Sequence, residues 1–160
     1  MALPKVCGIE TEYGIVVRGA ENNPVSASSL LINAYVAATT ERREGRVGWD
    51  FDDEQPANDA RGFSLEDVVA PEIETTLVNA VLTNGARYYV DHAPPEISTP
   101  EVADALEAVL FDRAAEEIIR QSMTLATSKL VGNSLTTPEV VVYKNNSDGK
   151  GNSYGCHENY

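Results

Sequence analysis

Basic residues are scarce in this 160-residue sequence, with 12 Lys and Arg against 25 Asp and Glu and a net charge of −13. That shortage argues against nonspecific binding to nucleic acid or to an anionic membrane, because both need basic surface. Cysteine is nearly absent as well. Cys7 and Cys156 are the only two, too few for the disulfide framework of a small secreted scaffold. No apolar run approaches the ~20 residues of a membrane span. The start, Met1-Ala2-Leu3-Pro4-Lys5, lacks the apolar core of a signal peptide. The expectation is a soluble cytoplasmic protein of one domain, or part of one. What remains is an ordinary globular balance, 42% hydrophobic and 23% charged.

The acidity is concentrated. Residues 41–74 hold 11 acids against Arg42, Arg43, Arg46 and Arg61, and residues 91–117 hold 8 against Arg113. Such runs usually form solvated faces. Acids inside apolar strands need another account, because burying an unpaired carboxylate is costly.

Residues 5–17 read as one strand, rich in β-branched residues and bounded by Pro4 and Arg18-Gly19. Residues 28–41 read as a helix capped by Ser26 or Ser28. Residues 44–72 combine Gly, Asp, Glu and Pro with no period. They read as a long mobile loop near a site, with a short helix near 64–69. Asn84-Gly85 is a strong turn signal, so 75–92 reads as a hairpin ended by Pro94-Pro95. Thr99-Pro100-Glu101 opens a helix over about 101–129. Val102, Leu106, Val109, Leu110 and Ile118 are expected on its apolar face, and Gly132-Asn133 stops it. Residues 139–144 read as a strand, followed by a polar, Gly-rich tail.

This order predicts an α+β domain with an antiparallel-rich sheet and helices on one face. Three or four strands and one long helix are a thin core for this length. The sequence also reaches Tyr160 inside a polar motif, so we expect the chain to continue.

Three groups of residues carry chemistry. Strand alternation puts Glu10 and Glu12 on one face. Two such carboxylates repel unless a cation lies between them, and hard ions such as Mg²⁺ suit them; an exposed, hydrated face is the equal alternative. Arg87, Tyr89 and Asp91 share one face of the next strand, with Glu96 five residues on. That stripe can meet phosphate, metal and a reacting carbonyl, or be a surface stripe with an Arg–Asp pair of little energy. In the tail, Lys144 and the glycines suit an anion, and His157-Glu158 offers an imidazole and a carboxylate. Cys156 cannot pair with adjacent His157 on a strand, so it reads as a small, semi-buried side chain.

GIETEYG at 8–14, LTNGARYYVDHAPPE at 82–96 and YKNNSDGKGNSYGCHENY at 143–160 together resemble the amino-terminal part of the Pup ligase and Pup deamidase/depupylase family. The resemblance covers essentially all 160 residues. It implies a glutamine-synthetase-like fold, ATP and Mg²⁺ as cofactors, and the prokaryotic ubiquitin-like protein Pup and its conjugates as partners. The segment from Gly48-Trp49-Asp50 to Arg61-Gly62-Phe63 resembles the loop of the deamidase branch, and Tyr13-Gly14 fits that branch too. The implied reaction is hydrolysis of the carboxamide of Pup's terminal glutamine, or of the isopeptide bond to a lysine. The same fold in the ligase branch joins Pup to lysine, and an inactive fragment is the third reading.

The resemblance also implies roles. Glu10, Glu12, Tyr89, Glu96 and His157 correspond to metal ligands. Arg87, Ser98 and Thr99 correspond to residues that contact ATP. Asp91 corresponds to the catalytic aspartate, acting as nucleophile or as a base on water. The family commonly has His before Pro-Glu, and this chain has Pro94. The family's remaining ATP site and Pup groove lie beyond Tyr160, so the 160 residues alone are expected to lack turnover.

Overall fold

The computed structural model describes residues 5–20, 23–39, 78–131, 137–144, 147, 151 and 153–160. The loop expected over 44–72, its short helix, the first hairpin residues and the Gly132-Asn133 stop lie outside the described residues. Among the described residues nine elements follow in order: β1 Gly8–Glu12, β2 Gly14–Arg18, α1 Pro24–Thr39, β3 Asn79–Val81, β4 Arg87–Val90, β5 Pro95–Ser98, α2 Ala105–Val131, β6 Glu139–Tyr143 and β7 Cys156–Asn159. All five strands of the larger sheet are antiparallel, in the order β3-β4-β5-β1-β7, and β2 pairs antiparallel with β6. The expected class, α+β with an antiparallel-rich sheet, is the one observed.

The single strand expected over 5–17 is two strands in different sheets. The break is at Tyr13, whose N–H bonds the Pro95 carbonyl while its ring is buried. An unbroken β-branched run could not reveal this, because the partners that divide it are distant in sequence. Pro95 does not end structure but begins β5, a tolerated proline position.

Helix α1 starts earlier than expected. Pro24 occupies its first turn, and Asn23 Oδ1 accepts the Ser26 N–H at 3.2 Å. Asn23, not a serine, is therefore the cap. Its buried stripe of Ala27, Leu31 and Ala34 packs toward β2, β4 and β5, and Tyr35 meets Tyr88 edge-on with centroids 6.4 Å apart. Leu31 is completely buried, so Leu31→Ala should cost about 3 kcal/mol of stability by cavity formation, measurable by urea unfolding.

Helix α2 starts later than expected. Val102 forms a bridge with Cys7, each N–H bonding the other's carbonyl at 2.8 Å, which keeps the chain extended past Thr99-Pro100. Asp104 then caps the helix by accepting the Glu107 N–H at 2.9 Å. The buried stripe is Ala108, Ala115, Ile118, Ile119, Ser122 and Ala126, while Leu106, Val109 and Leu110 are exposed. The expected apolar face is therefore correct at Ile118 and wrong over the first two turns. Helix α2 packs on α1, β6 and β1. Lys144, at the end of β6, bonds Asp112 at 3.0 Å and Glu116 at 2.9 Å of α2. Those pairs occupy the lysine expected to meet an anion. Cys156 is exposed rather than semi-buried, with Thr11 Oγ1 at 3.7 Å.

Candidate active site

Strand register builds the site. Residues directly opposite across antiparallel strands share a face of the sheet. Val81, Arg87, Ser98, Glu10 and His157 are successive cross-strand partners, and Asn79, Tyr89, Glu96 and Glu12 are the next such row. The intervening residues, Tyr88, Ile97 and Thr11, are buried on the other face, where Tyr88 meets the helix layer. One face of the sheet thus packs in the core and the other gathers the polar side chains.

Tyr89 is the hub. Its hydroxyl lies 2.7 Å from Glu10 Oε1, 2.8 Å from Glu96 Oε1 and 3.1 Å from Ser98 Oγ. Ser98 Oγ donates to Glu10 Oε1 at 3.0 Å, and His157 Nδ1 lies 3.3 Å from Glu10 Oε2. Burial pushes the Glu10 carboxyl up, but hydrogen bonds led by those from Tyr89 and Ser98 outweigh it and hold its pKa below the ordinary value. Burial, then the Glu96 charge, raises the Tyr89 phenol, which stays neutral.

Glu96 is in the opposite condition. Only 2% of it is exposed, and its Oε2 is buried with no hydrogen-bond partner among the described residues. Burial drives its pKa up to about 9; the Tyr89 hydrogen bond opposes this, and the Glu10 and Asp91 charges add to it. Oxygens of Glu12, Asp91 and Glu96 lie within 4.8 Å of one another. A buried carboxylate with an unsatisfied oxygen, grouped with two further carboxylates, fits a hard divalent cation. Glu12 Oε2 is steadied by the Gly155 N–H at 2.8 Å.

Asp91 follows β4 at a tight turn. Its N–H bonds the Pro94 carbonyl at 3.1 Å, and His92 Nδ1 lies 2.9 Å from its Oδ2. His92 and Ala93 both have positive φ, 47° and 100°. For alanine that conformation is strained. Ser28 Oγ of α1 reaches the Ala93 carbonyl at 2.6 Å and so helps hold the turn. Ala93→Gly should remove the strain and raise stability by about 1 kcal/mol; a lower melting temperature would contradict this.

The structure therefore brings together Glu10, Tyr89, Glu96, Ser98 and His157, and beside them Glu12 and Asp91. Arg87 joins through Tyr89, its guanidinium lying 4.6 Å from the ring centroid. Thr99 is differently engaged: its hydroxyl accepts the Ile9 N–H at 2.9 Å, and its own N–H returns to the Ile9 carbonyl. A cavity of about 340 Å³ opens beside Glu10, bordered by Ser98, Thr99, Glu101, Asn159 and Tyr160. Sequence reasoning missed Asn79, His92 and Gly155. The signal for Asn79 was a lone amide inside the apolar run TTLVNAVL, and for His92 its place next to Asp91.

Residues 5–160 match the family model described as Pup-ligase protein. The chain belongs to the Pup-ligase protein family. Within that family, a depupylase from Acidothermus cellulolyticus is 47% identical over 164 residues, covering 98% of this chain and 31% of the relative. A Pup–protein ligase from Bifidobacterium longum (strain DJO10A) is 31% identical over 157 residues, covering 98% of this chain and 25% of the relative. The chain thus spans a third or less of the curated relatives it matches. Among solved structures, the complex between Pup and its ligase PafA gives a TM-score of 0.64 at 24% identity, covering 96% of this chain and 24% of that one. At that identity the likeness carries the Pup-ligase fold.

Proposed function

We propose that the complete protein carrying these residues is an ATP- and Mg²⁺-dependent amidohydrolase of the cytoplasm. It deamidates the C-terminal glutamine of Pup and cleaves Pup–lysine isopeptide bonds. In this reading the 160 residues are the amino-terminal part of one glutamine-synthetase-like catalytic domain, inactive alone. The observation that carries it is the pair of polar rows on one sheet face with Asp91 at their edge. Over matches that span nearly the whole chain, the higher identity to a depupylase than to a Pup–protein ligase favours hydrolysis over ligation.

Glu10, Glu96 and His157 would hold Mg²⁺, with the Tyr89 hydroxyl among them, and Glu12 would serve another Mg²⁺. The ions would offset the negative charge of nucleotide phosphates gathered over this acidic face. Tyr89 keeps Glu10 and Glu96 at fixed separation as a neutral phenol. Arg87 meets phosphate, and Ser98 and Thr99 border the nucleotide cavity. Asp91 faces the substrate carbonyl, where its ionised carboxylate attacks the carbon or takes a proton from water. Either route adds water across the C–N bond and releases ammonia from the glutamine amide or the lysine amine from a conjugate. His92 orients that carboxylate.

The test gives the complete protein ATP, Mg²⁺ and either glutamine-terminated or glutamate-terminated Pup with a target protein. Ammonia release from the first is expected. Conjugation of the second, with no ammonia from the first, would instead assign the ligase reaction.

A further inference from the structure

Asn79 stands in a costly position. It is 4% exposed on β3, and its Nδ2 is buried with no hydrogen-bond partner among the described residues. A buried donor left unmatched is destabilising, and an apolar side chain of similar size avoids the penalty. Its Oδ1, however, accepts the Arg87 Nε–H at 2.9 Å. That bond, with the Tyr89 ring 4.6 Å beneath the guanidinium, holds Arg87 from two directions. Tyr89 lies directly opposite Asn79 in the register. The amide thus begins a line of contacts running through Arg87 and Tyr89 to Glu10 and Glu96.

We propose that Asn79 is a positioning residue that fixes Arg87 through its Nε, so that the guanidinium meets the anionic phosphates of a nucleotide already oriented. This rests on the reading that Arg87 contacts the nucleotide. A guanidinium carries five donors. Committing Nε to Asn79 sets the plane of the fork, so less side-chain freedom is lost when the anion arrives.

The test uses the complete protein, with Mg²⁺-ATP affinity measured by calorimetry and Arg side chains labelled at Nε for NMR. Asn79→Leu should weaken ATP binding about tenfold, the loss of one charge-assisted hydrogen bond. Its melting temperature should be unchanged or higher. Asn79→Asp keeps an acceptor for Nε and should retain affinity within about threefold of wild type. The Arg87 Nε–H signal, slow to exchange in wild type without nucleotide, should become fast in Asn79→Leu and stay slow in Asn79→Asp. Adding Asn79→Leu to Arg87→Ala should cause little further loss of affinity. Weaker binding in Arg87→Ala with none in Asn79→Leu would overturn the positioning role alone. Unchanged binding in Arg87→Ala would overturn the nucleotide reading and this inference with it.

Discussion

Asp91→Asn in the complete protein is expected to slow ammonia release from glutamine-terminated Pup by about 10³-fold or more. The substitution keeps size and shape, exchanges one acceptor oxygen for an NH₂ donor and removes the ability to ionise. Both routes open to Asp91 need the ionised form, so neither survives. The turn should persist, because its backbone bond to Pro94 and the Ser28 contact to Ala93 do not involve the carboxylate. Mg²⁺-ATP affinity should stay within about twofold of wild type, a rate effect without a binding effect. Unchanged affinity would set Asp91 apart from the cation's ligands even though its oxygen lies within 4.8 Å of those of Glu12 and Glu96. If affinity fell together with rate, Asp91 would belong to the cation's ligands rather than to the chemistry. Undiminished turnover would remove it from both roles.

Glu96→Gln should separate stability from function. In metal-free protein the folded state holds Glu96 protonated up to about 9, whereas the unfolded chain ionises it near the ordinary 4.5. Between those values the folded state binds the extra proton, so the contribution of Glu96 makes stability fall as pH rises. Glutamine is neutral throughout and removes that slope. In EDTA the variant should therefore gain stability over wild type at about pH 8 and much less at about pH 5. With Mg²⁺ the order should reverse. A ligated cation stabilises the wild type by mass action, and the variant should need about 100-fold more Mg²⁺ for the same effect, at the upper end of losses from disturbing even supporting contacts. Denaturant unfolding at both pH values, with and without Mg²⁺, checks this. Equal Mg²⁺ responses would exclude Glu96 from the ion's ligands.

The sequence made some of this legible. Alternation alone put Glu10 with Glu12 and Arg87 with Tyr89 on shared faces, and Asn84-Gly85 fixed the β3–β4 hairpin. It could not reveal that the two pairs meet, because that depends on β5, a strand hidden behind Pro94-Pro95. Nor could it reveal β7, whose four exposed residues carry no hydrophobic pattern but pair with β1. The start of α2 misled for a related reason: Pro100 signals a helix, and the Cys7–Val102 bridge overrides it. Local chemistry is written locally, whereas strand partnership is a property of the whole chain.

The two polar rows carry a further implication for how errors are caught. Side chains alternate along a strand, so a one-residue slip of β1 would send Glu10 and Glu12 toward the apolar layer and Thr11 toward the acids. Such a molecule would not persist as a folded but idle protein, because buried charge would unfold it. Misalignment at this sheet is self-eliminating: the same pairing that seals the interior also assembles the carboxylates, so folding proofreads the site. Single-residue insertions within β1 or β5 should therefore appear as loss of soluble protein, not as accumulation of an inactive form.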